Sequence, residues 1–220
     1  MPSLCIRRLS ALSLSLFSSI AMAIEEPAYE VLRSDGPFEI RRYAPMLVAE
    51  TWVDGDMDEA SNKGFRLIAD FIFGNNQRPD SDQAAKIAMT APVTVEPQST
   101  ATASAAPMTL EPQSAEAGLA AVQRWRIHFV MPRAYSLASI PKPRNEAIQL
   151  REIPAKVFAV HRYSWLNTQG RVQEKIQETL QWTQRSSLQV IGSPQLARYD
   201  PPWTLPMFKR NEIMVEISAP

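Results

Sequence analysis

The chain has 220 residues, of which 23 are basic and 23 acidic, so its formal net charge at pH 7 is zero. Proteins that bind nucleic acid usually carry a clear excess of Lys and Arg, and this balance argues against such a partner. There is one cysteine, Cys5, which excludes a disulfide framework.

Residues 1–23 are typical of an export signal. Two arginines precede the apolar run Leu9–Ile20, which ends in the cleavage pattern Ala21-Met22-Ala23. The run is shorter than the about 20 apolar residues that span a bilayer. We therefore expect a mature chain that begins near Ile24, has no membrane span, and is periplasmic or secreted.

The residues that follow alternate between apolar and polar as strands do, and then change to helical spacing. Strands are predicted at Tyr29–Arg33, Phe38–Tyr43 and Met46–Val53. Apolar residues then recur at helical spacing over Asp56–Phe73, and Gly74 is a typical helix stop.

Two further strands are predicted on either side of a segment that is poor in core-forming residues. The strands are Ile87–Val95 and Trp125–Met131, and the second alternates with Arg124, Arg126, His128 and Val130. This alternation predicts a half-buried strand with a basic outer face. Residues 97–122, rich in Ala, Ser, Thr, Pro and Gln, are predicted to be an inserted loop or hairpin. Because Ala106–Ser114 in this insert copies Ala91–Ser99, we interpret it as a short tandem duplication and not as a second site.

The second half of the chain repeats the order of elements. Its predicted elements are strands at Ile148–Glu152, Lys156–Tyr163, Leu188–Leu196 and Ile213–Ile217, with a helix at Thr168–Arg185. A shift of 110 residues places Arg41–Ala49 on Arg151–Ala159. We expect one domain over residues 24–220, with two βαββ units in one antiparallel sheet system and one helix from each unit.

Few residues suggest chemistry directly. Motifs of serine hydrolases, zinc proteases, nucleotide-binding loops and covalent haem attachment are absent from the sequence. The two histidines, His128 and His161, could each ligate iron, although ordinary half-exposed strand histidines are the simpler interpretation.

The segment before the last predicted strand combines three prolines with aromatic and basic residues. Its candidate binding residues are Tyr199, Trp203, Met207, Phe208, Lys209 and Arg210. The segment could be a lid over a barrel end. It could also form the aromatic wall of a pocket for a flat apolar ligand, with Lys209 and Arg210 placed to meet carboxylates.

Several segments together resemble the SOUL haem-binding family. They are Tyr29-Glu30-Val31, Arg41-Arg42-Tyr43, Phe71–Asn76, Lys86–Val93, Phe129–Pro132, Tyr199–Trp203 and Arg210–Ile213. The resemblance covers nearly the whole mature chain. It implies an α+β fold in which pseudo-twofold duplicated βαββ units form a distorted antiparallel β-barrel flanked by two helices.

The resemblance also implies non-covalent binding of haem or another tetrapyrrole in an apolar groove beside the first helix. The corresponding helix face consists of Phe65, Ile68, Ala69 and Ile72. One branch of the family has a histidine inside the R-x-Y tripeptide, where this chain has Arg42, so axial ligation at that position is not expected. Binding would then depend on burial of the macrocycle, with basic side chains such as Arg42 holding the propionates.

These observations favour an exported tetrapyrrole-binding protein that acts as a carrier, buffer or scavenger without turnover. One alternative is a general binder of flat amphipathic small molecules. Another is an enzyme that acts on a tetrapyrrole, with Glu30, Glu50 and Glu212 as acid–base groups. For these glutamates, solvated strand positions are the simpler interpretation.

Overall fold

The structure is a computed structural model and describes residues 24–98, 122, 124–201 and 203–219. The predicted export signal lies outside the described residues, as does most of the predicted insert, including its Ala106–Ser114 copy.

The described residues form strands, two long helices and one 3₁₀ turn. The strands are β1 Tyr29–Asp35, β2 Phe38–Tyr43, β3 Met46–Asp54, β4 Asn76–Gln77, β5 Val93–Pro97, β6 Arg124–Val130, β7 Lys142–Pro143, β8 Gln149–Ile153, β9 Lys156–Tyr163, β10 Gln195–Arg198 and β11 Asn211–Ile217. The helices are α1 Met57–Phe73 and α2 Gln169–Arg185, and the 3₁₀ turn covers Pro206–Phe208.

Nine strands form one curled antiparallel sheet in the order β1-β2-β9-β11-β10-β5-β6-β3-β8, and β4 pairs with β7 apart from it. Helix α1 packs on β3 and β6, and α2 packs on β9 and β11. The face without helices is concave, because residues of eight strands meet there around one cavity. The predicted α+β class with a distorted, barrel-like sheet is confirmed as a half-barrel with two helices.

The strand order is symmetric about the β5–β10 pair, apart from the additional strand β1. The first strand of each unit pairs with the second strand of the other unit, β2 with β9 and β8 with β3. Tyr43 pairs with Lys156, and the pair shifted by 110 residues, Ile153 (43 + 110) with Met46 (156 − 110), is also present. The shift found in the sequence is therefore the shift that relates the two units in the sheet.

Local sequence explains where α1 begins and how closely it packs. The Asp56 side chain accepts a hydrogen bond from the Glu59 amide at 2.8 Å and caps the helix N-terminus. Gly74, with φ of 133°, ends the helix. At Gly64 an added Cβ would lie 2.4 Å from Cγ1 of Ile127, so the helix lies directly against β6 at this residue.

Two predicted strands are longer than the strands in the structure. Residues 87–92 are not a strand, because Ile87 donates its amide to Ile72 at 2.8 Å and Ala91 donates to Glu25 at 2.9 Å. Pro92 has no amide hydrogen to donate. The prediction at Leu188–Leu196 is wrong before Gln195, where the chain is irregular and contains a glycine and a proline.

Candidate functional site

The predicted helix face is only partly accessible. Ile68 and Ile72 are fully buried in the core between α1 and the sheet. Ala69 is half-buried, whereas Phe65 and Phe73 are exposed. The surface that α1 offers to a ligand therefore includes Phe65, while the two isoleucines lie beneath it.

Arg42 lies on a different side of the molecule from α1. It shares a strand face with Ile40, which packs in the cluster against α2. Its Nη1 donates to Glu30 Oε2 at 2.9 Å, and both side chains are largely exposed.

Both histidines are buried, with 5% of His128 and 4% of His161 exposed. The half-exposed interpretation is therefore wrong for each. His161 faces α2, with Nδ1 3.3 Å from Thr179 Oγ1 and its ring 4.3 Å from that of Phe38. His128 lies on the concave side, because the helix side of β6 is taken by Trp125, Ile127 and Phe129. The basic face of β6, predicted to point outward, is thus enclosed by the curl of the sheet at Arg126 and His128, whereas Arg124 is exposed.

Residues 199–210, here called the apolar loop, expose four large apolar side chains. The exposed fractions are 83% for Trp203, 58% for Leu205, 50% for Met207 and 72% for Phe208. The neighbouring residues Trp165 and Leu166 are also exposed, and the Trp165 amide donates to the Pro206 carbonyl at 2.9 Å. Exposed apolar patches of this kind are typical of binding surfaces.

The apolar loop begins and ends at one buried ionic cluster. Glu212, fully buried, accepts hydrogen bonds from Arg41 Nη1 at 2.9 Å, Tyr199 Oη at 2.6 Å and Arg210 Nε at 3.0 Å. Burial and the charge of Glu212 raise the pKa of Tyr43 to about 12 and that of Tyr199 further, so both hydroxyls stay protonated at neutral pH. The solvated interpretation of Glu212 is therefore wrong.

This cluster joins the segments that carry the family resemblance. Arg41 and Tyr43 come from the R-x-Y tripeptide, Tyr199 from Y-D-P-P, and Arg210 and Glu212 from R-N-E. The sequence analysis did not predict that Arg41, Tyr43 and Glu212 form one cluster. The available signal was that all three lie in segments that carry the family resemblance. Arg210 also donates to the Glu26 carboxylate at 3.0 Å, so its guanidinium ties the end of the apolar loop to the segment that precedes β1.

Glu50 is likewise buried and ion-paired. It accepts from Arg151 Nη2 at 2.8 Å and from Arg126 Nη1 at 3.4 Å. Its solvated interpretation is wrong as well, whereas Glu30 is exposed as expected. The three glutamates therefore do not share one site.

Two cavities lie on the concave side of the sheet and at its rim. One, of about 60 Å³, lies among the central strands, and another, of about 130 Å³, lies beside residues 25–28. Pockets for drug-sized ligands measure about 300–1,000 Å³, so neither cavity encloses a tetrapyrrole. A macrocycle would need an open surface, and the apolar loop is such a surface.

Within residues 24–98, 122, 124–201 and 203–219, no three His, Cys, Asp or Glu side chains are grouped as metal ligands. In the same described residues, neither α1 nor any other helix has the length and apolar character needed to cross a membrane.

The model of the family described as SOUL heme-binding protein matches residues 24–216. No curated protein matches the sequence significantly.

Solved structures share the fold at low identity. The crystal structure of the EcmrR C-terminal domain has a TM-score of 0.56 and 12% identity, covering 87% of this chain and 99% of that chain. A hydrolase from Listeria innocua has a TM-score of 0.53 and 10% identity, covering 85% of this chain and 94% of that chain. At these identities, the similarity shows the fold alone.

Proposed function

This chain belongs to the SOUL heme-binding protein family, and we propose that it is an exported tetrapyrrole-binding protein, acting as a carrier, buffer or scavenger without turnover. Export is inferred from the sequence of residues 1–23. The observation that supports the ligand class is the exposure of the apolar loop.

Four large apolar side chains within six residues are costly to leave in water. Covering them returns about 25 cal/mol for each Å² of apolar surface that is removed from solvent. The flat rings of Trp203 and Phe208 suit stacking on a flat macrocycle. Tyr199, which also binds Glu212, supports the loop from its first residue.

We propose that the groove lies between the apolar loop and the exposed side of α1. Arg198, directly before the loop, binds Ser61 Oγ at 3.1 Å and Asp58 Oδ1 at 3.2 Å, so the loop leaves the sheet beside the first half of α1. Phe65 follows Ser61 by about one helical turn. Lys209 is our candidate for the contact with a propionate. Arg42 is a weaker candidate, because it lies on the α2 side of the molecule and the proposed groove lies beside α1.

An axial bond from histidine to iron is not part of the proposal. His128 and His161 are buried on the two faces of the sheet, so neither ring is open to a ligand bound at the surface. Affinity would come from macrocycle burial, so metal-free porphyrin should bind about as well as haem.

The ion pairs of the three candidate glutamates favour a binding function over a catalytic one. Glu50 and Glu212 are buried in ion pairs with arginines, and Glu30 pairs with Arg42 at the surface. The oxygens of these carboxylates already accept hydrogen bonds from arginine side chains, so they are poorly placed to exchange a proton with a substrate. A general binder of flat amphipathic molecules would use the same loop, and titration with non-tetrapyrrole aromatic ligands separates the two.

The test is substitution in the loop, read by the Soret absorbance of haem. Trp203→Ala and Phe208→Ala should each weaken binding about tenfold, as expected when a central aromatic contact is lost. Trp52→Ala is the matched control, since Trp52 is an exposed tryptophan on the sheet face opposite α1. If the loop variants bind haem like the wild type while Trp52→Ala weakens binding, the loop is not the site.

A further inference from the structure

The concave cavity of about 60 Å³ is lined by residues from eight strands and is separate from the exposed part of the apolar loop. Of the loop residues that the structure describes, 199–201 and 203–210, only Tyr199 lines it. Helix α1 contributes no residue to its wall.

Three cations line this cavity: Arg126 from β6, Arg151 from β8 and Lys156 from β9. Each has a carboxylate partner, since Arg126 pairs with Glu50 and Glu96, Arg151 with Glu50, and Lys156 with Glu216. None of these carboxylates lines the cavity. The wall therefore presents positive groups, while the carboxylates that pair with them lie beside the cavity on the same face of the sheet, opposite His128, Arg126 and Phe158.

Two nitrogen atoms of side chains that line the cavity are themselves buried and have no hydrogen-bond partner within the described part of the protein. They are Nδ1 of His128 and Nε of Arg126. Buried polar atoms are nearly always paired, so an unpaired one calls for an explanation, of which a water, an ion or a ligand group is one. Nε of arginine can only donate, so the missing partner there is an acceptor.

The surroundings of His128 are electropositive. Burial, followed by the charges of Arg126, Arg151 and Lys156, lowers the pKa of His128 to about 3. The ring is therefore neutral at neutral pH, and a neutral ring can still donate from one nitrogen. The same positive charges that disfavour an imidazolium favour an anion in the cavity.

The remaining wall is largely apolar, and the volume limits what can enter. Met46, Phe158 and Met214 line the cavity together with Val130 and Ile153. A water molecule needs about 10–15 Å³ on this measure, so the cavity admits about four to six non-hydrogen atoms, up to the size of butyrate.

We propose that the concave cavity is a second binding site, which takes the carboxylate of a short-chain monocarboxylic acid. The carboxylate oxygens accept hydrogen bonds from Arg126 Nε and from an Nδ1–H tautomer of His128. The alkyl chain lies against Met46, Phe158 and Met214. This site is independent of tetrapyrrole binding at the apolar loop.

The experiment uses the ¹⁵N-labelled mature chain and sodium butyrate as the probe, with butyramide and butylammonium chloride as neutral and cationic analogues. Butyrate should shift the imidazole ¹⁵N signals of His128 and leave those of His161, on the opposite face, unchanged. The two analogues should shift neither. This comparison uses the wild-type protein and does not depend on the folding of any variant.

Variants then test the donor. In His128→Gln the amide lies nearer the position of Nε2, so the Nδ1 donor is lost and butyrate should bind at least about tenfold more weakly. His128→Asn, whose amide can occupy the Nδ1 position, should bind better than His128→Gln. His161→Gln makes the same chemical change beside α2 and should bind like the wild type.

Three results would overturn the proposal. Absence of any His128 shift with butyrate up to about 20 mM would mean that water alone fills the cavity. An equal response to butyrate and butylammonium would remove the anion preference, and equal weakening by His128→Gln and His161→Gln would remove the role of His128. Because haem is not in the experiment, none of these results bears on the apolar loop.

Discussion

At the scale of single residues, the buried carboxylate of Glu212 joins three segments of the chain. It holds Tyr199 and Arg210, the first and last residues of the apolar loop, and it also binds Arg41 of β2. A buried charge is tolerated only when partners satisfy it, and removal of one partner leaves the others uncompensated. The buried carboxylate of Glu212 thus fixes both ends of the loop that exposes Trp203 and Phe208.

His128 should make the stability of the protein depend on pH. Its pKa in the folded protein is about 3, against about 6.5 for a solvated histidine, so below pH 6.5 the unfolded chain binds a proton that the folded protein does not. Stability is therefore lost as pH falls from about 6.5 towards 3, by about 2 kcal/mol between pH 7 and pH 5. Urea unfolding at these two pH values should show the loss in the wild type.

The variant His128→Gln should show a loss smaller by this amount, because glutamine does not titrate. All other groups are shared, so the difference between the two proteins isolates His128. An equal loss of stability in both proteins would mean that His128 is protonated in the folded state near its ordinary pKa.

The sequence predicted that His128 shares a strand face with Arg126 but not that this face is buried. Both residues do line the same cavity. What covers a strand face depends on elements far away in the chain. The helix-free face is covered by the curl of the sheet itself, which no local pattern encodes.

At the scale of elements, the contact of α1 with β6 depends on one glycine. A Cβ at Gly64 would lie 2.4 Å from Cγ1 and 2.7 Å from Cβ of Ile127. Both atoms belong to a branched side chain that is fully buried in the core, so neither can move away easily. Helix and sheet would have to separate locally.

We expect Gly64→Ala to destabilise the protein by about 1–2 kcal/mol, because overpacking outweighs the helix propensity that alanine gains. Gly170→Ala is the matched control, since nothing lies within 4 Å of a Cβ at that position in the first turn of α2. It should be neutral or stabilise by up to about 1 kcal/mol. Thermal unfolding of both variants checks this, and equal stabilisation by both would contradict the close packing at Gly64.

Helices were predicted more accurately than strands. Both helices begin within a few residues of the prediction, because capping residues and Gly74 are local signals. Residues 87–92 were wrongly assigned to a strand because their amides bond to the end of α1 and to Glu25. Those partners lie in other segments, and composition alone cannot distinguish them from a neighbouring strand.

At the scale of the whole molecule, the duplication organises the sheet. The 110-residue shift, visible as a faint sequence similarity, relates the β2–β9 and β8–β3 pairings. Exchange of first strands between the units ties the two halves into one sheet. The concave cavity lies among these strands, so it depends on both halves.

Deletion of Thr100–Ser114 should leave the fold and haem binding intact. This segment lies outside the described residues, but the strands on either side of it are paired, with Pro97 opposite Trp125. The Gln98 amide also donates to the Arg124 carbonyl at 2.9 Å, so a shorter connection can close the hairpin. Circular dichroism melting and Soret titration test this, and loss of folding or binding would show that the segment is structural.

Titration of the mature chain with haem and with metal-free protoporphyrin tests whether the protein binds the macrocycle through apolar contact and without an iron bond. We expect similar affinities for the two ligands, with Kd values below about 100 μM, equivalent to about −5.5 kcal/mol. A strong preference for haem that is abolished by His128→Ala or His161→Ala would contradict it, as would failure of both ligands to bind.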